Sequence, residues 1–195
     1  VITSVYVKSL KFGLKITSIL GTINAYLKFK EFKVSMIDSE GYRPNVGIII
    51  VNKEGKLFWG KRIQQDAWQF PQGGIRENET PQQAVFRELK EEVGLEPSDV
   101  RILGRTEDWI SYDLPKHLIR HYSQPICIGQ KQIWFMLGLE SEESQINLNL
   151  HDTPEFEGWD WVEYWRPVQE VVSFKQGVYH QALTELESTL EKFWF

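Results

Sequence analysis

Residues 73–95 read GGIRENETPQQAVFRELKEEVGL, and this stretch decides how the rest of the chain is interpreted. Thr80 is a typical N-cap residue, and the glutamine three positions later completes a capping box. Pro81 fits the first turn of a helix, and Gly94 suits the left-handed position at which helices end. The pattern predicts a helix from about Pro81 to Val93.

The predicted helix has an apolar face and an acidic face. Its apolar residues recur at helical spacing and predict packing against a core: Val85, Leu89 and Val93. On the other face Glu88 and Glu92 stand one turn apart, with Glu91 beside them. Carboxylates crowded at one helix end repel one another, so they indicate either a solvated acidic surface or a cation site. Because no His or Cys is near, an oxygen-ligand site favours Mg²⁺ or Mn²⁺.

The same stretch resembles the Nudix box of nucleoside-diphosphate-linked hydrolases. The matching positions are Gly73, Glu79, Arg87, Glu88, Leu89, Glu91, Glu92 and Gly94. In that family the positions of Glu88, Glu91 and Glu92 bind metal, so the resemblance implies a Mg²⁺ cofactor, for which Mn²⁺ or another divalent cation can substitute. It also implies an α/β fold: the Nudix α/β/α sandwich with a mixed β-sheet and the Nudix loop-helix-loop.

Length and composition favour one globular domain without disulfides. The chain has 195 residues, and Cys127 is its only cysteine, which fits a reducing compartment. We therefore expect a cytoplasmic protein. No apolar run approaches the roughly 18 residues that span a bilayer, so we expect no membrane contact for the catalytic domain.

Charge divides the chain into two parts. Residues 1–35 carry six lysines and one acidic residue, whereas residues 36–195 carry 16 basic and 26 acidic residues. We expect 36–195 to form the domain and 1–35 to be an extension outside it. Three explanations for the extension stay open: a start site placed upstream of the true start at Met36, an amphipathic segment that is ordered or touches a membrane, and a targeting sequence.

The acidic body also limits the class of substrate. A protein of this charge repels a long polyanion, so nucleic acid has to be held locally by a few cations and a metal ion. We therefore expect recognition of the 5′ end of RNA or of a small nucleotide, and no binding of DNA.

Strand and helix patterns lie on both sides of the predicted helix. The predicted strands are 46–51, 56–60, 67–70, 100–109, 132–139 and 159–162. Residues 52–55 and 71–74 are predicted turns, and further helices are predicted at 163–172 and 176–193. Alternation places Trp159 and Trp161 on one strand face, which favours core packing over base stacking. Strands with interspersed helices indicate a mixed sheet covered on both faces.

Residues outside the box indicate a subgroup of the same family. Four segments resemble the RNA pyrophosphohydrolase subgroup and also plant-type dinucleoside polyphosphate hydrolases: GYRPNVGIII (41–50), WQFPQGGI (68–75), PICIGQKQIWF (125–135) and TPEFEGWDWVEYWRPVQEVVSFKQGVY (153–179). By this resemblance Glu155 is a further metal ligand, although the residue alone would be interpreted as a surface acid. Glu88 is the first candidate for the general base and Glu155 the second.

The resemblance also assigns residues to the substrate. The cations matching phosphate-binding positions are Arg43, Arg62 and Lys175, and the residues matching the base pocket are Val172, Phe174 and Tyr112. Without the resemblance, Val172 and Phe174 would be assigned to the core and the cations to the solvated surface. Glu79 lies half a turn off the face of Glu88, so we expect it to pair with Arg87. The structural members of the motif are Gly73, Glu79, Arg87 and Gly94. Ala67 departs from the serine that is frequent in the subgroup.

The resemblance therefore implies a Mg²⁺-dependent hydrolase of phosphoanhydrides. The predicted function is an RNA pyrophosphohydrolase that removes pyrophosphate from 5′-triphosphorylated RNA, leaves 5′-monophosphate RNA and promotes mRNA decay. One alternative is a hydrolase of dinucleoside polyphosphates such as diadenosine tetraphosphate. A non-catalytic nucleotide- or RNA-binding module is an alternative of another class, but such a module is expected to lack a box glutamate, and all are present here.

Overall fold

A computed structural model describes residues 36–122, 124–150 and 153–191. The described strands are β1 (Tyr42–Val51), β2 (Leu57–Arg62), β3 (Trp68–Gln69), β4 (Gln72–Gly74), β5 (Val100–Arg105), β6 (Ile110–Asp113), β7 (Gly129–Leu139) and β8 (Phe156–Val162). The described helices of more than one turn are α1 (Pro81–Val93), α2 (Arg166–Glu170) and α3 (Gln176–Leu186). The predicted extension at 1–35 lies outside the described residues.

The strands form one mixed sheet around β1 and β7. The order along the main path is β3-β2-β1-β7-β5, while β4 pairs with β1, β6 with β7 and β8 with β2. Only the β1–β7 pair is parallel among the described strands, and its register runs from Tyr42 opposite Gly129 to Val51 opposite Gly138. The run VGIIIV at 46–51 is buried throughout, as expected for a central strand covered on both faces.

Two hydrophobic clusters lie on opposite faces of the sheet. One includes α1, and the predicted apolar row of that helix is fully buried: Val85, Leu89 and Val93. The other cluster joins the sheet to α3, through residues such as Tyr179 and Leu183. The predicted α/β/α sandwich with a mixed sheet is therefore confirmed.

The ends of α1 are fixed as the sequence predicts. Thr80 accepts a hydrogen bond from the backbone N–H of Gln83, and the Gln83 side chain accepts one from the backbone N–H of Thr80. Gly94 ends the helix with φ +79°, in the left-handed region. A Cβ added at Gly94 would lie 2.5 Å from the backbone oxygen of Asn147, so conformation and space both require glycine there.

Several strand predictions require correction, including β7 and β8, which each begin three residues earlier than predicted. Residues 72–74, predicted as part of a turn, form β4 because they hydrogen-bond to β1 through tertiary pairing that local composition does not show. The predicted strand at 100–109 ends at Arg105, and Ile110–Asp113 forms the separate strand β6. The hairpin of β1 and β2 is confirmed, although β1 begins four residues earlier than predicted.

The helix predictions at the C-terminal end were too long. The segment predicted at 163–172 is helical only over Arg166–Glu170, because Pro167 fits the first turn of a helix and not its interior. The helix that begins at Gln176 ends at Leu186 and continues as a 3-10 turn over Glu187–Thr189, while residues 192–193 of the predicted segment lie outside the described residues. Core packing of the tryptophan pair is confirmed, since Trp159 and Trp161 pack against the cluster on the α1 face.

Across the described ranges, every helix is too short or too polar to cross a membrane.

We expect Gly94→Ala to lower the free energy of unfolding by about 2 kcal/mol, because alanine is strained in the left-handed region and its Cβ meets the backbone of Asn147. Urea unfolding at equilibrium measures the change. The matched control is Gly177→Ala in α3, where an added Cβ meets no atom within 4 Å and alanine favours the helix. Equal effects of the two substitutions would contradict the prediction.

Candidate metal and phosphate site

The short strand β4 brings the glycine turn against the acidic face of α1. Its register places Gly73 opposite Val46 and Gly74 opposite Asn45 of β1. A Cβ added at Gly73 would overlap the carboxylate of Glu88, so glycine at this position permits the closest approach of strand and helix. Glu88 is buried, with 5% of its surface exposed. The first carboxylate of the candidate site is therefore set directly beneath the strand backbone.

Arg87 joins the loop before α1 to the helix itself. Its Nε and one terminal nitrogen donate to the two carboxylate oxygens of Glu79, at 2.7 and 2.8 Å. The same terminal nitrogen donates to the backbone oxygen of Gly74 at 2.9 Å, and the other contacts Glu88. The hydrogen bonds with Arg87 hold the pKa of Glu79 below its usual range. The structure thus places Glu79 against Arg87, the arrangement that the sequence predicts.

The four candidate metal ligands each contact a donor of the protein. Glu88 contacts Arg87, Glu91 accepts from Arg76 at 3.0 Å, and Glu155 pairs with Arg62 at 2.5 Å. Glu92 accepts from the backbone N–H of Gln72 at 3.1 Å. Within the described ranges no three acidic, His or Cys side chains are grouped to hold a metal ion. The ligand set at Glu88, Glu91, Glu92 and Glu155 therefore stays a prediction.

The electrostatics of the carboxylates nevertheless fit a cation. Burial and the neighbouring charges of Glu88 and Glu155 raise the pKa of Glu92 well above its usual range. Glu88 and Glu155 are thus both close enough to Glu92 to repel its carboxylate charge. A divalent cation with oxygen ligands would relieve this repulsion, and the donor set is of the kind that Mg²⁺ and Mn²⁺ prefer.

Cations lie beside the same carboxylates. The Arg43 guanidinium lies against Gly74, where an added Cβ would overlap it. Lys175 is buried, with 7% of its surface exposed, in the turn before α3. The Nε atoms of Arg43 and Arg62 are buried, and neither has a hydrogen-bond partner among the described residues. The predicted phosphate-binding residues therefore come from β1, β2 and the turn before α3.

The residues predicted to hold the base divide into a ring pair and an exposed aliphatic side chain. Tyr112 is buried and its ring centroid lies 5.8 Å from that of Phe174, which is half-buried. Val172 is exposed, so the interpretation as a core residue is wrong for this position. The Nζ of Lys175 lies 5.8 Å from the centroid of the Tyr112 ring. The aromatic pair and the buried ammonium therefore occupy one corner of the site.

Sequence reasoning missed two glutamines. Lys175 donates to the side-chain oxygens of Gln69 and Gln72, at 3.1 and 3.0 Å. Within the segment WQFPQGG, Gly73 alone has a function predicted from sequence. The signal was the presence of two amides that flank the apolar dipeptide Phe70-Pro71, and it does not by itself indicate which cation they hold.

In this sandwich a glycine turn, a clamped glutamate–arginine pair and an acidic helix face meet where β4 pairs with β1, which is the arrangement expected of a Nudix box. The NUDIX domain family matches residues 41–182, and the chain belongs to this family. Nudix hydrolases generally use divalent cations, so the cation expected from the charge pattern is in keeping with the family. The expected membership of the Nudix hydrolases is confirmed.

Named relatives agree with this assignment. The chain is 82% identical over 159 residues to the RNA pyrophosphohydrolase of Hydrogenovibrio crunogenus, which covers 82% of this chain and 96% of the relative. It is 59% identical over 151 residues to that of Alkalilimnicola ehrlichii, covering 77% of this chain and 83% of the relative. A solved structure, the E. coli dihydroneopterin triphosphate pyrophosphohydrolase, matches 72% of this chain and 94% of its own with a TM-score of 0.58 at 23% identity, which supports the fold alone.

We expect Glu92→Gln to stabilise the metal-free protein, since it removes one charge from a buried group of carboxylates. In the presence of EDTA the midpoint of thermal unfolding should rise by about 2–4 °C, the shift that about 1 kcal/mol produces in a domain of this size. Added Mg²⁺ or Mn²⁺ should raise the midpoint of the wild type and have a much smaller effect on the variant.

Glu77→Gln is the matched control for this experiment, because Glu77 is an exposed acid in the loop before α1. It should leave both the EDTA midpoint and the metal-dependent shift unchanged. A full metal-dependent shift in Glu92→Gln would contradict the assignment of Glu92 as a ligand.

Proposed function

We propose that the chain is an RNA pyrophosphohydrolase that converts 5′-triphosphorylated RNA into 5′-monophosphate RNA and pyrophosphate. The observation that carries this proposal is that acidic and basic side chains from distant parts of the chain lie close together. The carboxylates of Glu92 and Glu155 lie near Arg62 and Lys175, and Lys175 lies beside the Tyr112–Phe174 ring pair. Relatives that are up to 82% identical carry the name RNA pyrophosphohydrolase.

The cofactor of this proposal is Mg²⁺, with Mn²⁺ as a substitute, held by Glu88, Glu91, Glu92 and Glu155. When bound, it neutralises phosphate charge and lowers the pKa of a coordinated water. All four ligands are carboxylates, and hard cations of this class prefer such oxygens. Each of these carboxylates also contacts an arginine or a backbone N–H of the protein.

The substrate is held by charge at one end and by ring contact at the other. Arg43, Arg62 and Lys175 bind phosphate oxygens, because Arg and Lys donors match the geometry and charge of a phosphate chain. Phe174 stacks on the first base with Val172 beside it, while Tyr112 supports the Phe174 ring from below. Stacking of this kind tolerates different bases, so it orients the RNA end without demanding one sequence.

Glu88 is our first candidate for the group that accepts a proton from the attacking water, and Glu155 is the second. The water oxygen bonds to the α-phosphorus. The anhydride bond between the α- and β-phosphates then breaks, and pyrophosphate leaves. Glu155 is the more exposed of the two and pairs with Arg62, a residue assigned to phosphate. Glu88 lies beneath Gly73, where the backbone approaches most closely.

The proposed partner is the 5′ end of RNA, not DNA or a long nucleic acid tract. The body of the chain is acidic, so binding depends on the local cations and the metal. We place this activity in residues 36–195 and infer that the enzyme acts in the cytoplasm, where nascent transcripts and Mg²⁺ occur together. Decay of the monophosphorylated transcript is the expected consequence.

A direct comparison of substrates tests the proposal. We expect Mg²⁺-dependent release of pyrophosphate from triphosphorylated RNA to be at least about tenfold faster, in kcat/KM, than hydrolysis of diadenosine tetraphosphate, a difference equivalent to about 1.4 kcal/mol. The two rates are measured in one buffer with the same enzyme preparation. A strong preference for the dinucleotide would replace the proposed function by that of a dinucleoside polyphosphate hydrolase.

Substitution of Glu92, the glutamate already used to test metal binding, also tests catalysis. Glu92→Gln should lower the rate of pyrophosphate release by about a thousandfold, the equivalent of about 4 kcal/mol of transition-state stabilisation. Glu77→Gln should retain the wild-type rate. Undiminished release by Glu92→Gln would exclude the metal mechanism, and absence of turnover in the wild type on any nucleotide would favour a non-catalytic binding module.

A further inference from the structure

The ammonium of Lys175 is held by two neutral amides inside the site. Its Nζ donates to the side-chain oxygen of Gln69 at 3.1 Å and to that of Gln72 at 3.0 Å. An ammonium group has three N–H donors, so these two bonds leave one donor for a further acceptor. Gln69 and Lys175 are both buried, with 5% and 7% of their surfaces exposed. The direction of the remaining donor is therefore fixed by the protein.

The positions of the two glutamines are set by the sheet. Gln69 lies in β3 opposite Gly60, and Gln72 lies in β4 opposite Gly47. Gln72 is fixed further, because its backbone N–H donates to Glu92 and its side chain is hydrogen-bonded to Tyr112. Both amides thus belong to the strand framework, whereas Lys175 belongs to the turn before α3.

The chemical type of these acceptors matters for the binding of an anion. A carboxylate in their place would pair with the ammonium and cancel its charge. An apolar side chain would leave a buried cation without solvation, which is costly. An amide oxygen solvates the ammonium and leaves its full positive charge available to a phosphate.

We propose that Gln69 and Gln72 are positioning residues that keep Lys175 cationic and direct its third N–H to a phosphate oxygen of the substrate. This inference rests on the proposed function, in which Lys175 binds phosphate. The glutamines act through Lys175 and not on the reacting atoms. Their presence in WQFPQGG then has a chemical reason, since that segment has to supply two neutral acceptors to one cation.

Burial and the charges around Lys175 bring its pKa closer to neutral pH. Burial and the nearby Arg62 lower the pKa of Lys175 to about 8, while Glu155 and Glu92 act in the opposite direction. Burial raises the pKa of Tyr112, so the phenol stays neutral across this range. Lys175 is cationic below a pH of about 8 and loses its charge above it. Affinity for a polyphosphate should therefore fall as the pH rises through this value.

Two variants of Gln69 should shift the pH at which affinity for a polyphosphate falls, and in opposite directions. Gln69→Leu removes an acceptor from the ammonium, so the pKa of Lys175 decreases and affinity should be lost about one pH unit lower. Gln69→Glu adds a negative partner, so affinity should be lost about one pH unit or more higher. The same pair of substitutions at Gln72 should give the same two directions, and provides a second test if a Gln69 variant does not fold.

The measurement is the dissociation constant of an imido-bridged nucleoside triphosphate, which resists hydrolysis, in Mg²⁺ buffer from a pH of about 6.5 to about 9.5. Titration of the ligand itself is common to all variants and cancels in the comparison. In a Lys175→Arg background the glutamine substitutions should no longer move the midpoint, because the guanidinium stays charged throughout. Thermal unfolding of each variant reports whether the fold is intact.

Gln176→Glu is the matched control, because it is the same chemical change at the exposed residue next to Lys175. It should leave the midpoint of the pH dependence within about 0.3 units of the wild type, since a solvated charge is screened. A purely structural effect of the Gln69 or Gln72 variants would lower affinity equally at every pH, and that result would overturn the inference.

Lys175→Met separates failure of the inference from failure of the proposed function. If it leaves triphosphate affinity unchanged, Lys175 does not bind phosphate, and both its assigned function and the inference are wrong. If it weakens binding about tenfold or more while the glutamine variants do not move the midpoint, Lys175 binds phosphate but the glutamines do not position it. Opposite shifts in the two variants support the inference.

Discussion

Arg87 neutralises charge at the point where the glycine turn, the following loop and α1 meet. Its guanidinium donates to Glu79 in the loop and contacts Glu88 beneath β4, so one cation serves both carboxylates. The guanidinium also donates to the backbone of Gly74, so a single planar group fixes the loop, the helix and the strand. Because its positive charge lies against Glu88, Arg87 also offsets part of the repulsion between Glu88 and Glu92.

Local chemistry made the helix of this site predictable from sequence. Thr80, Pro81 and Gly94 are capping signals whose effect depends on the nearest residues, and all three lie where the sequence predicts. The strand β4 was missed because Gln72, Gly73 and Gly74 are turn-forming in composition and become a strand only through pairing with β1. Secondary structure that depends on a distant partner cannot be predicted from a short window of sequence.

The same distinction applies to the candidate site. The acids of α1 were identified from spacing, and the resemblance assigned Arg43, Arg62, Lys175 and Glu155, which are far apart in the chain. Their mutual arrangement was not predictable, since the pairing of Arg62 with Glu155 joins residues 93 positions apart. The contact of Lys175 with Gln69 spans 106 positions. Composition supplies the types of group, whereas the register of the sheet decides which of them meet.

Phe70 gives the two short strands at the site a rigid anchor. Its ring lies 5.0 Å from Trp59, 5.1 Å from Tyr179 and 5.9 Å from Trp134, and its backbone N–H donates to the Tyr179 hydroxyl at 3.2 Å. The residues on either side of it in sequence are therefore tied to the aromatic cluster. Under the proposed function, a new substrate preference would be reached at exposed positions such as Val172, because substitution there disturbs neither the cluster nor the acidic face of α1.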